Sequence, residues 1–407
     1  MENEKNAAVT QNVSCPYTVN IFPADTTGCN WYRNLAPQLT MEQCVGGVTF
    51  NTCRKFVIDK DFFRFVNVNI IQRQVTSYQR DYFLKFIMPM SQKFGSWIVY
   101  NVDDCIHKDD VPVYNKSYDT YNTPGYSENI KEMLNATDFI LVTTDELGNY
   151  YKDRFGITDE QIIVIPNYIP FWWMGASFNK ERIMASFKVN VTEKHRPRIG
   201  IIGAPAHYDT GNKKVENDIT HLLPYIRKTI KDYQWVVFGS MIPELENEIS
   251  RGEIEAYHGI DILQYPRMLC NLNLQYVVAP LLDNVFNRCK SNIKLTESWA
   301  SGFGCAAQDL CCYNKYTNDV FSDDDSLHSI LSRDLKNADA FEAKIVSNHK
   351  RMADWWLESH MTDWIRLYKL RQKPLIFDFD SSIKSAVAAQ TAASDDIITP
   401  PSIKIKQ

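Results

Sequence analysis

Tyr276 to Gly302 reads YVVAPLLDNVFNRCKSNIKLTESWASG. Gln275 to Ala279 has the composition of a buried strand, and Lys290 to Ala300 suits a helix. A strand running into a helix in this way is the repeating unit of a parallel α/β sheet. On a helix beginning near Lys290, the residues Lys290, Lys294 and Glu297 are spaced i, i+4 and i+7 and share one face. Ser291 and Asn292 fall in its first turn, where backbone N–H groups have no partner inside the helix. A helix N-terminus with two ammonium groups suits a pyrophosphate. A carboxylate two turns on can accept both hydroxyls of a ribose. The plainer alternative is a solvated helix face with a Lys–Glu pair. The position after an apolar strand, where α/β proteins bind ligands, favours the first reading.

The same rhythm extends outward in both directions. Strands are predicted at Tyr17–Phe22, Phe65–Ile71, Ser96–Val102, Asp138–Thr143 and Gln161–Ile165. Helices fit Trp31–Leu39, Ser77–Lys93 and Ser127–Asn135. Asn167 to Trp173 closes this half, and Phe178 to Arg198 reads as a charged, loop-like connection. The alternation restarts with a strand at Arg198–Ile202, a helical stripe from Ile219 to Ile230 and a strand at Trp235–Phe238. A helix at Tyr265–Leu272 and a short strand at Cys305–Ala307 continue it. The expected architecture is α/β, with two facing Rossmann-like domains over residues 1–180 and 181–344. Ile345 to Leu370 reads as one long amphipathic helix anchored by Met352, Trp355, Trp356 and Trp364, within a segment 345–379. Residues 380–407 have the composition of a disordered tail.

With 407 residues, 44% of them apolar, the chain has enough material for two or three cores. No run reaches the roughly 20 apolar residues that span a bilayer. Met1 to Gln11 is polar and lacks a secretory apolar stretch, so a cytoplasmic protein without a membrane partner is expected. The ten cysteines are scattered and form no CxxC pair, which argues against a zinc cluster. A net charge of −5 gives no general attraction for nucleic acid, although a local basic groove is compatible with it.

Three further stretches carry chemistry. GIIGAPAHYDTG, Gly200 to Gly211, follows a strand and places Gly203, His207 and Asp209 on one loop, where the backbone can approach a ligand. FPADTTGCNWY, Phe22 to Tyr32, makes a turn at Asp25–Gly28 and is followed by the fixed cation Arg33. Val102-Asp103-Asp104 puts adjacent carboxylates at a strand's carboxyl end, where one can serve as a base. Arg73, after the second predicted strand, is a weaker candidate of the same kind. Asp378-Phe379-Asp380 matches a D-x-D metal motif but lies beside the polar tail. No essential metal ion is expected.

Four of these stretches, FPADTTGCNWYR, IVYNVDD with VPVYN, IGIIGAPAHYD and FNRCKSNIKLTESWASG, occur in family order. Together they resemble GT-B glycosyltransferases of the retaining, group 1 type, especially those of tailed phages. The resemblance implies a UDP-sugar donor as co-substrate. Lys290 and Lys294 would hold its diphosphate, with Ser291 and Asn292 beside them, and Glu297 its ribose. Gly203, His207 and Asp209 would line the donor cleft, and Gly28 would approach the transferred sugar beside the catalytic Asp103 and Asp104. Asp25, Arg33 and Arg73 would face the acceptor, and the C-terminal helix would brace the first domain. The phage likeness implies hydroxymethylated pyrimidines in double-stranded DNA as acceptor, in the host cytoplasm. Arg80 and Lys85 would extend the cationic rim, with Trp31 and Tyr32 stacking on an extruded base. A glycan or virion protein acceptor is the alternative, as is a non-catalytic nucleotide-sugar binding protein. Cys289 stands where the family has its first glutamate, and Asn101 replaces the first aspartate of the second motif.

Overall fold

Near-continuous apolar runs form strands that are covered on both faces, as parallel sheets require. In the computed structural model, which describes residues 17–203, 205–208 and 215–373, these runs build two six-stranded parallel sheets. The first comprises β1 (Tyr17–Phe22), β2 (Val48–Thr52), β3 (Val68–Gln72), β4 (Trp97–Asn101), β5 (Phe139–Val142) and β6 (Ile162–Val164). Their order is β2-β1-β3-β4-β5-β6. Val19 lies opposite Val68, which lies opposite Trp97. Between β1 and β2 the chain is helical from Gly28 to Cys44, with a wider π-type turn at Trp31–Leu35.

The second sheet comprises β7 (Arg198–Gly203), β8 (Gln234–Gly239), β9 (Glu255–His258), β10 (Tyr276–Ala279), β11 (Gly304–Gln308) and β12 (Val320–Phe321). Its order, β12-β11-β10-β7-β8-β9, is that of dinucleotide-binding folds. The strand order reverses between β7 and β10, so the loops leaving those two strands flank the crevice where such folds bind ligands. Both sheets belong to one compact unit that ends at Gln372.

Two expectations are corrected. The segment 178–198 is not loop-like: Lys180–Phe187 is a helix whose start is capped by Asn179, its side chain accepting from the Arg182 N–H at 2.8 Å. The long C-terminal helix is broken. Ala338–Arg351 gives way to short turns before a second helix, Met361–Tyr368. The break is a tertiary effect. Ile169 donates to the Trp355 carbonyl at 3.0 Å and accepts from the Leu357 N–H at 2.8 Å, which pulls this stretch out of the helix. The second helix packs on Ala36–Cys44 of the first half. Beyond it, the Leu370 and Arg371 carbonyls accept from Asn67 and Trp97 at 3.1 and 2.7 Å. Asp378, Asp380 and the tail lie outside the described residues. Among the described residues no helix is long and apolar enough to cross a membrane.

Candidate active site

The carboxyl end of the first sheet gathers acids around one arginine. Asp25 follows β1, Arg73 follows β3 in a left-handed conformation (φ 42°), and Asp103 and Asp104 follow β4. The Arg73 guanidinium lies 3.0 Å from Asp25, 3.5 Å from Asp103 and 3.4 Å from Asp104. Asp25 has a second task, since its other oxygen accepts from the Thr27 N–H at 2.8 Å and fixes the turn into the Gly28 helix. A Cβ on Gly28 would meet nothing within 4 Å, so this turn faces open space. Asp103 Oδ1 is enclosed without a hydrogen bond.

Arg33, expected beside the acceptor, is placed elsewhere. Its side chain is fully enclosed. It donates to Asn101 Oδ1 at 3.1 Å, to the Ile165 carbonyl at 2.6 Å and to Asn167 Oδ1 at 3.3 Å, and lies 5.6 Å from the Trp364 ring. Burial lowers its pKa to about 10. The π-type turn aims it beneath the strand ends, where it ties β4, the segment after β6 and the C-terminal helix together. Trp31 is likewise buried, with its ring 5.0 Å from that of Trp173.

Across the crevice, the motif helix runs Ile293–Ser301 and stops at Gly302, whose φ of 79° favours glycine. Lys290 therefore precedes the helix rather than sharing a face with Lys294. The preceding turn is set by a short helix, Val285–Arg288, capped by Asn284. It sends Lys290 over the Phe286 ring, 4.3 Å from its centroid, and to Asp104 at 3.3 Å. Burial raises the Asp104 carboxyl, but Lys290 and Arg73 outweigh it and hold the group below the usual carboxylate range. Ser291 Oγ accepts from Asn167 at 3.1 Å. Asn292 is buried, and its Nδ2 has no partner.

Lys294 and Glu297, one turn apart, pair at 3.0 Å. Glu297 also accepts from Tyr32 of the first half at 2.6 Å and from Tyr265 at 3.0 Å. An ionised carboxylate offers about four acceptor positions; three donors already hold this one. Tyr265 stacks between Phe238 and Trp173, at 5.6 and 6.0 Å.

His207 Nδ1 lies 2.8 Å from Asp218 Oδ2. Burial lowers the imidazole's pKa, while the Asp218 contact opposes that shift. Asp218 is itself fully buried and accepts from Tyr114 of the first half and from Asn287, both at 2.7 Å. Gly203 makes room for the Tyr208 ring, which occupies the space a Cβ would need. Asp209 lies outside the described residues. Sequence reasoning missed Asp218, Tyr114, Tyr265 and Trp173. Tyr114 stands in the VPVYN stretch but carried no role there, the other three stand in none of the quoted stretches, and only the fold brings the four to the crevice.

One grouping among the described residues could hold a metal ion. Cys29, Asp103 and Asp104 bring ligand atoms within 4.8 Å of one another. Burial pushes the Cys29 thiol's pKa well above its ordinary value, and the Arg73 guanidinium stands against both carboxylates.

Two Rossmann-like sheets whose carboxyl ends meet across a crevice define the GT-B fold, the architecture of a large class of glycosyltransferases. Solved structures share it. HepE of Anabaena in complex with UDP and glucose is 9% identical, with 86% of this chain and 98% of that chain covered and a TM-score of 0.55. A glycosyltransferase from Rickettsia africae is 12% identical, covering 87% and 98%, with a TM-score of 0.53. A UDP-forming trehalose-phosphate synthase from Burkholderia vietnamiensis is 11% identical, covering 87% and 97%, with a TM-score of 0.52. At these identities the likeness is one of fold. No known family pattern matches the chain, and no curated protein sequence matches it.

Proposed function

We propose that this protein is a glycosyltransferase that takes a sugar from a UDP-sugar and passes it to an acceptor hydroxyl. The carrying observation is the pairing of Lys294 with Glu297 at the start of the Ile293–Ser301 helix, inside the crevice. A diphosphate placed there meets Lys290, Lys294 and the unpaired N–H groups of the first turn. Lys294 then exchanges Glu297 for phosphate, and the freed carboxylate positions accept ribose hydroxyls. The two ammonium groups stabilise the departing diphosphate, the work a divalent ion does elsewhere. Asp103, whose side chain keeps 10% exposure at the carboxyl end of β4, takes the acceptor hydroxyl's proton, and Asp104 holds Lys290 in place. Gly28 leaves room for the transferred sugar, and the retained anomeric configuration follows the family resemblance. The HepE complex with UDP and glucose supports the choice of donor.

For the acceptor, a glycan or protein hydroxyl is the better reading than a hydroxymethylated base in DNA. Of the cations expected on the rim, Arg33 is enclosed and Arg73 is ringed by three carboxylates. Arg80 pairs with Asp81 and Glu132, and Lys85 with Asp81. These partners cancel the field a phosphate backbone needs. A second reading, binding of nucleotide-sugar without transfer, draws on Cys289, which is buried with its Sγ 3.8 Å from the Glu146 carbonyl and offers no carboxylate to a sugar hydroxyl.

Titration calorimetry with UDP tests the donor site. The protein binds UDP in EDTA as well as in magnesium, and Lys294→Ala raises Kd about tenfold or more, as loss of a charge-assisted contact requires. Unchanged affinity in the variant sinks the assignment. UDP binding with neither transfer nor hydrolysis of any UDP-sugar selects the second reading.

A further inference from the structure

The helix Asp145–Phe155 turns Glu146, Asn149, Tyr150 and Asp153 toward a groove of about 460 Å³. The spacing i, i+3, i+4 and i+7 puts all four on one helix face. Its other wall belongs to the second half, at Val285, Arg288 and Cys289. Lys290, Lys294 and Glu297 are not among the described residues that line it, so it is distinct from the nucleotide crevice. Yet it abuts that crevice. Cys289 directly precedes Lys290, and Cys105, next to Asp104, has its Sγ 4.0 Å from the Val285 carbonyl.

The lining has a definite chemistry. Asp110, Glu146 and Asp153 outnumber Arg154 and Arg288. Both arginines are already engaged, Arg154 with Asp110 at 2.8 Å and Arg288 with Asp283 at 2.6 Å. Tyr150 donates to the same Asp110 carboxylate at 2.9 Å. These ion pairs fix planar donors and acceptors in place, while Val285, 45% exposed, adds an apolar surface. A polyanion would find the cations here already paired, Arg154 and Arg288 as above and Lys315 with Glu146 at 2.7 Å. A neutral polyhydroxylated chain finds oriented partners for its hydroxyls and an apolar wall for its C–H faces, at little ordering cost to the protein.

We propose that this groove binds the extended, uncharged part of a carbohydrate acceptor whose reacting end lies in the crevice. The inference rests on the reading of the crevice as a sugar-transfer site. Saturation-transfer NMR on the full chain tests it, using neutral hexasaccharides of glucose, N-acetylglucosamine, galactose and mannose, alongside a duplex containing 5-hydroxymethylcytosine. At least one hexasaccharide is expected to bind. Asn149→Trp, at an exposed helix position, fills the groove and weakens that binding about tenfold or more. Asp153→Ala weakens it less, and both variants keep wild-type UDP affinity and thermal midpoint. Equal binding to wild type and Asn149→Trp overturns the proposal. So does failure of every hexasaccharide, or binding of the duplex in their place. If UDP does not bind the wild-type protein, the nucleotide-sugar reading falls separately, and the NMR result still decides the groove.

Discussion

The carboxyl edges of the two sheets are built on one plan and carry opposite chemistry. The first presents Asp25, Asp103 and Asp104 around the single cation Arg73. The second presents Lys290, Lys294 and His207, with its main carboxylate, Glu297, already held by three donors. The strands do not make this difference, since both sheets are parallel, six-stranded and largely buried. The loops leaving the strands make it, which is where α/β folds store function. On the proposed function, an anionic diphosphate therefore has one edge to bind. A hydroxyl that must lose a proton is better served by the other.

Arg33→Met gives the largest expected effect and tests whether the first edge is scaffold or surface. The substitution strands the Asn101 and Asn167 side chains and the Ile165 carbonyl, and costs about 3 kcal/mol or more in urea unfolding. An unchanged midpoint with selective loss of acceptor binding would return Arg33 to the acceptor site. Next comes Glu297→Gln, which sharpens the second edge. An amide offers one acceptor oxygen in place of two, so UDP affinity falls about tenfold while the fold persists. Lost stability with unchanged UDP affinity leaves Glu297 a brace between Tyr32 and Tyr265 and nothing more.

The smallest effect probes the contact between the edges. The folded Asp104 carboxyl titrates below the unfolded value of about 3.9. Its stabilising contribution is complete above that pH and is lost as pH falls through the folded value. Asp104→Asn flattens this acid limb of the stability curve. An identical acid limb in variant and wild type would show that Lys290 and Arg73 add nothing to its ionised form.

Buried strands were legible from alternation or from short apolar runs: β1, YTVNIF, coincides with the predicted Tyr17–Phe22, and FILV and YVVA are unbroken. The unread strands lie at sheet edges, where half-exposed VTFNT, EAYH and the two-residue β12 give no such run. Lys294 and Glu297 were legible from local spacing. Their partners were not: Tyr32 reaches Glu297 across 265 positions. Arg33 and Arg73 were both read as cations near strand ends, Arg73 directly after β3 and Arg33 eleven residues past β1. Only the handedness of the backbone at Arg73 and the π-type turn at Arg33 send one into the crevice and the other under the sheet. The break near Trp356 was hidden because its tryptophans keep the apolar rhythm while their backbone bonds to Ile169.

Several contacts stitch the crevice across its two sides. Asp104 meets Lys290, Tyr32 meets Glu297, Tyr114 meets Asp218, and Thr144 donates to the Cys289 carbonyl at 3.0 Å. Together they act as a clasp between the two sides. On the proposed function, capture of a nucleotide waits for the clasp to part, so its observed rate is expected to level off with concentration at the frequency of opening instead of climbing toward the diffusion limit.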